Sequence, residues 1–194
     1  MQTLKLYMLL LGCRPAGRHT EQHDIFFSIG SSLSGLVPAI NRFWPGAKSN
    51  IHIDAWREVT GVDGYKISIE PRGSSLETIN KERNLFFINL GGYKEKEFEE
   101  YHYKVLTIAK TPDEAKASAR QTAFYKHAGF KGAPSHIDDK FGVDADDVYK
   151  VSDILPAAIR EKYCLQIRHD TNQLQDEMHI AYLPLYKIPK AKLI

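Results

Sequence analysis

The chain has 194 residues, 43% hydrophobic and 26% charged, with a formal net charge of +2. That length buries a proper core in one large domain or two small fused ones, and the composition excludes an intrinsically disordered chain. The near-neutral balance excludes a general electrostatic preference for nucleic acid; Lys187, Lys190 and Lys192 gather near the C-terminus, where a solvated basic tail is expected.

In chain order, the first element is an apolar run, Leu4–Gly12, broken only by Lys5. With Cys13 it closes like a lipoprotein leader, but its uninterrupted part is at the lower limit for such a segment, and a buried strand is expected. A loop carrying Arg14, Arg18 and His19 leads into a second, alternating strand. Leu33, Val37, Ile40 and Trp44 then step at helical spacing, which predicts a short helix from Ser32 to Trp44 despite Gly35 and Pro38. Ile51–Trp56 and Tyr65–Ile69 read as strands around a turn at Val62-Asp63-Gly64.

The stretch 71–83 has the Pro/Gly/Ser-rich character of a linker. Beyond it, Leu85–Gly91 is a second apolar run ending in glycine, followed by an alternating segment with His102, Lys104, Leu106 and Ile108 on one face. Thr111-Pro112-Asp113-Glu114 supplies an N-cap, a first-turn proline and a capping-box glutamate, so a helix starts there. Ser152–Lys162 is predicted as a short helix, with strands at Tyr163–Arg168 and Met178–Tyr186. The two cysteines, Cys13 and Cys164, form no C-x-x-C motif, which points to a reducing compartment and a cytoplasmic location.

The two halves repeat each other. At one constant offset Gly12 aligns with Gly91, Glu21 with Glu100, His23 with His102 and Ile29 with Ile108. After a short insertion, His52, Asp54, Asp63, Tyr65 and Lys66 align with His136, Asp138, Asp147, Tyr149 and Lys150. The expected architecture is therefore α+β, with internally duplicated β-β-α-β-β units, mainly antiparallel sheet and a pseudo-two-fold arrangement. The expected boundaries are 1–70 for the first repeat, 71–83 for the linker, 84–152 for the second repeat and 153–194 for a C-terminal extension packed on the repeats. The internal position of Leu85–Leu90 also favours a core strand over a leader for its counterpart Leu6–Leu11.

The strand ending in glycine, the segment Glu21-Gln-His-Asp-Ile-Phe-Phe-Ser-Ile-Gly30, the tryptophan closing the helix, and His52-Ile-Asp-Ala-Trp56 followed by Val62-Asp-Gly-Tyr-Lys-Ile67 together resemble the bacterial domain-of-unknown-function family 1543. The resemblance spans Leu4 to Ile69 and, more loosely, Leu85 to Ser152. It implies an α+β fold, a bacterial source, and one or two copies of the unit. It brings no established activity.

Glu21, His23, His52 and Asp54 form the polar set shared with the second half, and each pair is spaced i, i+2, which on a strand puts both side chains on one face. Such a set serves as a general base with its orienting partner, and His23, His52 and Asp54 offer nitrogen and oxygen ligands to a divalent metal. The competing reading is structural, because residues kept in both halves are explained most simply by the fold the halves share. Arg14, Arg18, His19, Asp24 and Trp56 belong to the first half alone, and are the candidates for holding a small anionic or aromatic ligand. The functional expectation is a protein that binds a small ligand, a protein partner or a second copy of itself as a homodimer, with no membrane segment, no strong nucleic-acid signal and no required cofactor. The alternative is a metal-assisted or general acid–base hydrolase built on Glu21, His23, His52 and Asp54.

Overall fold

The N-terminal apolar run forms strand β1, Lys5–Cys13, in a computed structural model that describes residues 3–47, 50–74, 82–129, 131, 135–137 and 148–189. The chain divides into two units: Met1–Glu77 with Leu155–Ile194, and Thr78–Ile154. Both are mixed α+β and built on antiparallel strand pairs.

In the first unit, β1 pairs on one side with β2 (Gln22–Gly30) and on the other with β3 (His52–Glu58). Strand β11 (His179–Pro184) joins the far side of β3 to give the sheet order β11-β3-β1-β2. Alternation along β1 sends Tyr7, Leu9, Leu11 and Cys13 into a core with Leu36 and Ile40 of helix α1 (Leu33–Phe43) and Ile53 of β3. The opposite face of β1, carrying Met8, Leu10 and Gly12, is the one on which polar groups gather. Ser32 caps α1 by accepting from the Gly35 amide at 3.4 Å, so the helix begins where the sequence places it; Pro38 lies inside it.

The chain crosses to a second sheet, β10-β5-β4, immediately after β3. Strand β4 (Gly61–Val62) and β5 (Tyr65–Pro71) form a hairpin whose two-residue turn, Asp63-Gly64, has φ of 52° and 74°. Two consecutive left-handed residues are what a tight hairpin turn needs, and Asp-Gly supplies them cheaply. The turn thus falls where the sequence predicts, but its partners differ: β3 and β5 lie in separate sheets, because Val59 donates to the Leu6 carbonyl at 2.7 Å while Ile67 donates to Thr60 at 2.8 Å.

The C-terminal segment completes this unit. The predicted helix Ser152–Lys162 is two single turns, α4 (Val151–Ile154), which belongs to the second unit, and α5 (Ala157–Arg160), because Pro156 lacks a backbone donor and disfavours helical backbone at the residue before it. Strand β10 (Tyr163–His169) pairs with β5, and β11 with β3, so the extension contributes a strand to each sheet of the first unit. After β11 the chain tightens into a 3-10 turn at Leu185–Lys187.

In the second unit, β6 (Asn84–Tyr93) pairs with β7 (Glu100–Ala109), and on its other side with the short strands β8 (His136–Ile137) and β9 (Val148–Lys150). Helix α2 (Pro112–Ala119) starts at Thr111, whose hydroxyl accepts from the Glu114 amide at 3.2 Å while the Glu114 carboxylate accepts from Lys110. Ala115 and Ala119 pack on Phe86, Ile88 and Leu90, and α3 (Ala123–His127) adds Phe124 and Tyr125. Each unit therefore has a core cluster of its own. Asp138, Lys140 and Asp147, residues 75–81 of the linker, and Lys190 and Lys192 lie outside the described residues. Among the described residues no helix is long and apolar enough to cross a membrane.

Candidate functional site

The polar face of the first sheet is organised around Gly12. In register on β1, Gly12 lies opposite His23 of β2 on one side and His52 of β3 on the other. A Cβ at this position would lie 2.5 Å from Asp54 Oδ2 and 2.8 Å from Glu21 Oε1, and would collide with His52 Nε2. Glycine is required here by space: the missing side chain leaves a hollow into which three donor groups converge.

Asp54 reaches that hollow through a bulge. Leu10 pairs with Ala55 and Leu11 with Ile53, which leaves Asp54 as an extra residue on β3. The pairing of β3 with β11 is irregular at the same point, with Ile180 opposite Ala55 and Leu183 opposite Ile53. An inserted residue reverses the facing of everything beyond it. Trp56, which strict alternation would put beside His52 and Asp54, instead packs against the core that holds Leu9 and Ile53, and its ring stacks on His179 at 4.9 Å.

The distances within the cluster are short. His52 Nε2 is 2.5 Å from Glu21 Oε1 and 3.3 Å from Asp54 Oδ1, and His23 Nε2 is 3.3 Å from Asp54 Oδ2. The His52 side chain is only 6% exposed, whereas His23 is 46% exposed at the rim. Neither His52 Nε2 nor Asp54 Oδ2 has an aligned hydrogen-bond partner, although both are buried. Burial raises the Asp54 carboxyl above the ordinary carboxylate range; His52 and His23 pull it down, and Glu21 raises it further. Tyr182 of β11 lies over the His52 ring with centroids 4.3 Å apart.

One atom each from Glu21, His52 and Asp54 lies within 4.8 Å of the others, close enough for a single cation to span the set. An imidazole nitrogen with two carboxylate oxygens suits zinc, manganese or another first-row divalent ion, and three protein ligands leave positions for water or substrate. Above the cluster a cleft of about 590 Å³ opens, lined by Arg14, His19 and Lys187 as cationic or ionisable groups and by Tyr182 and Tyr186 as aromatic ones.

The structure thus brings Glu21, His23, His52 and Asp54 together and sets Arg14 and His19 at the cleft. Arg18 is exposed outside the lining, and Asp24 lies opposite Leu11, its Oδ1 accepting from the Ile25 amide at 2.7 Å. Sequence reasoning did not select Gly12, Asn50, Tyr182 or Tyr186, and read Lys187 as tail. Only the repeated glycine carried a signal; the C-terminal residues reach the site through β11–β3 pairing, which no local pattern encodes.

The cluster and its glycine-centred strands lead to one comparison. Residues 18–69 match the Domain of Unknown Function DUF1543. The DUF1543 segment holds Glu21, His23, His52 and Asp54, while Gly12, Tyr182, Tyr186 and Lys187 come from outside it. The chain is also similar to the crystal structure of a protein Il1583 from Idiomarina loihiensis, at 24% identity, with a TM-score of 0.57 and coverage of 94% of this chain and 97% of that one. That similarity establishes a shared fold. No curated protein matches the chain.

Proposed function

We propose that the first unit binds a divalent transition-metal ion through His52 Nε2 and one carboxylate oxygen each of Glu21 and Asp54, and uses it for metal-assisted hydrolysis of a small anionic ligand. The observation that carries this reading is the convergence of His52 Nε2 and one carboxylate oxygen each of Glu21 and Asp54 to within 4.8 Å of one another over Gly12. An imidazole nitrogen and two carboxylate oxygens gathered in this way form a set that one cation could span. Held by Glu21, His52 and Asp54, a divalent cation would offset the two carboxylate charges and would supply Lewis-acid chemistry for hydrolysis. His23, behind Asp54, orients that carboxylate, and Arg14 draws the anion into the cleft. A chain with two cysteines, Cys13 and Cys164, and no C-x-x-C motif suits a reducing compartment such as the cytoplasm.

The test is metal analysis of protein purified without a histidine tag, with thermal melting in zinc, manganese and nickel. Near-stoichiometric metal is expected, and at a hundredfold excess over Kd about 2.7 kcal/mol of added stability. Hydrolysis of the anionic ester 4-nitrophenyl phosphate is expected to disappear on chelation and return with metal. No bound ion and unchanged melting in all three metals would remove the proposal.

A second reading is favoured by one observation: Gly91 of β6 lies between His102 and His136 in the same register as Gly12 between His23 and His52. On that reading the glycine-flanked histidines specify the fold of a duplicated unit, and the metal experiments are negative while substitution of His52 still lowers stability.

A further inference from the structure

The composition of the cleft goes further than the cation. We infer that the ligand of this site is a phosphomonoester carrying an aromatic ring, its phosphate held between the metal centre and Arg14 and its ring lying against Tyr182 and Tyr186. The inference rests on the metal reading, because the Glu21 and Asp54 carboxylates would repel a phosphate unless a cation neutralises them.

Three observations support the choice. The first is aromatic exposure: Tyr182 and Tyr186 are 70% and 77% exposed, yet both line the cleft. Tyr182 meets the His52 ring and Lys187 Nζ lies 6.0 Å over the Tyr186 ring, yet most of each ring is left in water beside a buried polar centre, with an apolar face to offer a ligand and a hydroxyl that stays wet. Tyr182 is also aimed: it falls in the irregular stretch of β11 between Ile180 and Leu183, opposite the Asp54 bulge, and lies over the His52 ring. Bulges beside a site turn side chains toward it.

The second is charge. Arg14, Lys187 and His19 share the cleft with one carboxylate, Glu21, which the cation would occupy. Two permanent cations, an ionisable imidazole and a metal suit a dianion better than a neutral ester, and a guanidinium matches phosphate with two parallel donors. The third is size. A cleft of about 590 Å³ holds a ring and a phosphate together, within the ~300–1,000 Å³ common for small-molecule sites.

The experiment uses the full chain loaded with zinc, its metal content measured first, titrated calorimetrically with phenylphosphonate and with methylphosphonate, which share the anion and differ in the ring. Phenylphosphonate is expected to bind at least ~5-fold more tightly, the ratio to which the low end of aromatic stacking, ~1 kcal/mol, converts. Tyr182→Ala is expected to collapse that ratio and Tyr182→Phe to keep it, whereas Arg14→Ala weakens both probes alike. Equal affinity of the two probes for zinc-loaded protein, or no binding of either, overturns the ligand assignment and leaves the metal centre standing. A chain that takes up no zinc overturns both. The wild-type ratio decides the matter by itself, so a poorly folding variant would not protect the inference.

Discussion

Gly12 and Gly91 occupy the same place in two similar strand sets, yet their surroundings diverge. Around Gly12, Glu21, His52 and Asp54 converge on one another, and Glu21 and His52 line a cleft. Around Gly91 the counterparts of His23 and Glu21 bond instead to neighbours on β6: His102 Nδ1 lies 3.1 Å from the Asn89 amide nitrogen, and Glu100 accepts from the Tyr93 hydroxyl at 2.7 Å. Asn89 and Tyr93 stand where the first unit has Leu10 and Arg14, so the neighbours that engage the second set are absent from the first. One strand pattern can thus serve packing or chemistry, and its immediate neighbours decide which.

The strongest way to break this comparison is to substitute one glycine-flanking histidine of each unit, His52 in the first and His102 in the second. His52→Ala is expected to reduce zinc affinity at least as much as the ~10–100-fold typical of losing a residue that only supports a ligand, and to lower stability. His102→Ala is expected to leave zinc affinity unchanged. Equal losses of affinity in both variants would falsify the assignment of the site to the first unit.

Next in size is Gly12→Ala, whose methyl group would enter the hollow between His52, Asp54 and Glu21. A loss of about 1–3 kcal/mol in urea unfolding is expected from overpacking, together with loss of metal-induced stabilisation. Normal metal uptake in this variant would show that the donors do not meet over the glycine.

A pH experiment makes the first unit more like the second. Tyr7 is buried, and its hydroxyl donates to Glu58 at 3.2 Å; burial first, then the Glu58 charge and that hydrogen bond, push its pKa up to about 12 from 10.0. The corresponding residue of the second unit is Phe86, which has no hydroxyl. A raised folded-state value means that the neutral tyrosine contributes stability fully below its ordinary pKa, and that the contribution is lost as pH climbs through the folded value. Between pH 10.0 and about 12, wild-type stability is therefore expected to fall more steeply than that of Tyr7→Phe. Parallel unfolding curves across that window would contradict the assignment.

The smallest effect is expected at Arg18, which is exposed outside the cleft. Arg18→Ala should change stability by less than ~0.5 kcal/mol and leave phenylphosphonate affinity at the wild-type value, in contrast to Arg14→Ala. Matching losses in the two arginine variants would show that the anion is held by the loop as a whole.

Much of this was legible residue by residue. Period-two and period-3.6 patterns located the strands around Gly12 and Gly91 and helix α1, Ser32 and Thr111 marked helix starts, and Asp63-Gly64 marked the hairpin. Glu21, His23, His52 and Asp54 stood out because they recur in the second half. Trp56 shows where such reading stops: alternation groups it with His52 and Asp54, and only the bulge at Asp54 sends it to the core. Tyr182, Tyr186 and Lys187 were similarly hidden, since they lie far along the chain from Gly12.

By itself, then, the sequence determined which segments become strands and helices and which polar residues share a strand face. These are consequences of local backbone geometry, which repeats every few residues. The tertiary structure alone decided that β11 would pair with β3, that the pairing would be irregular on both sides of Asp54, and that a cleft would form over His52. Pairing and register depend on how distant apolar faces are buried together, so a single misfit residue in the ladder can redirect a side chain in a way no local pattern records.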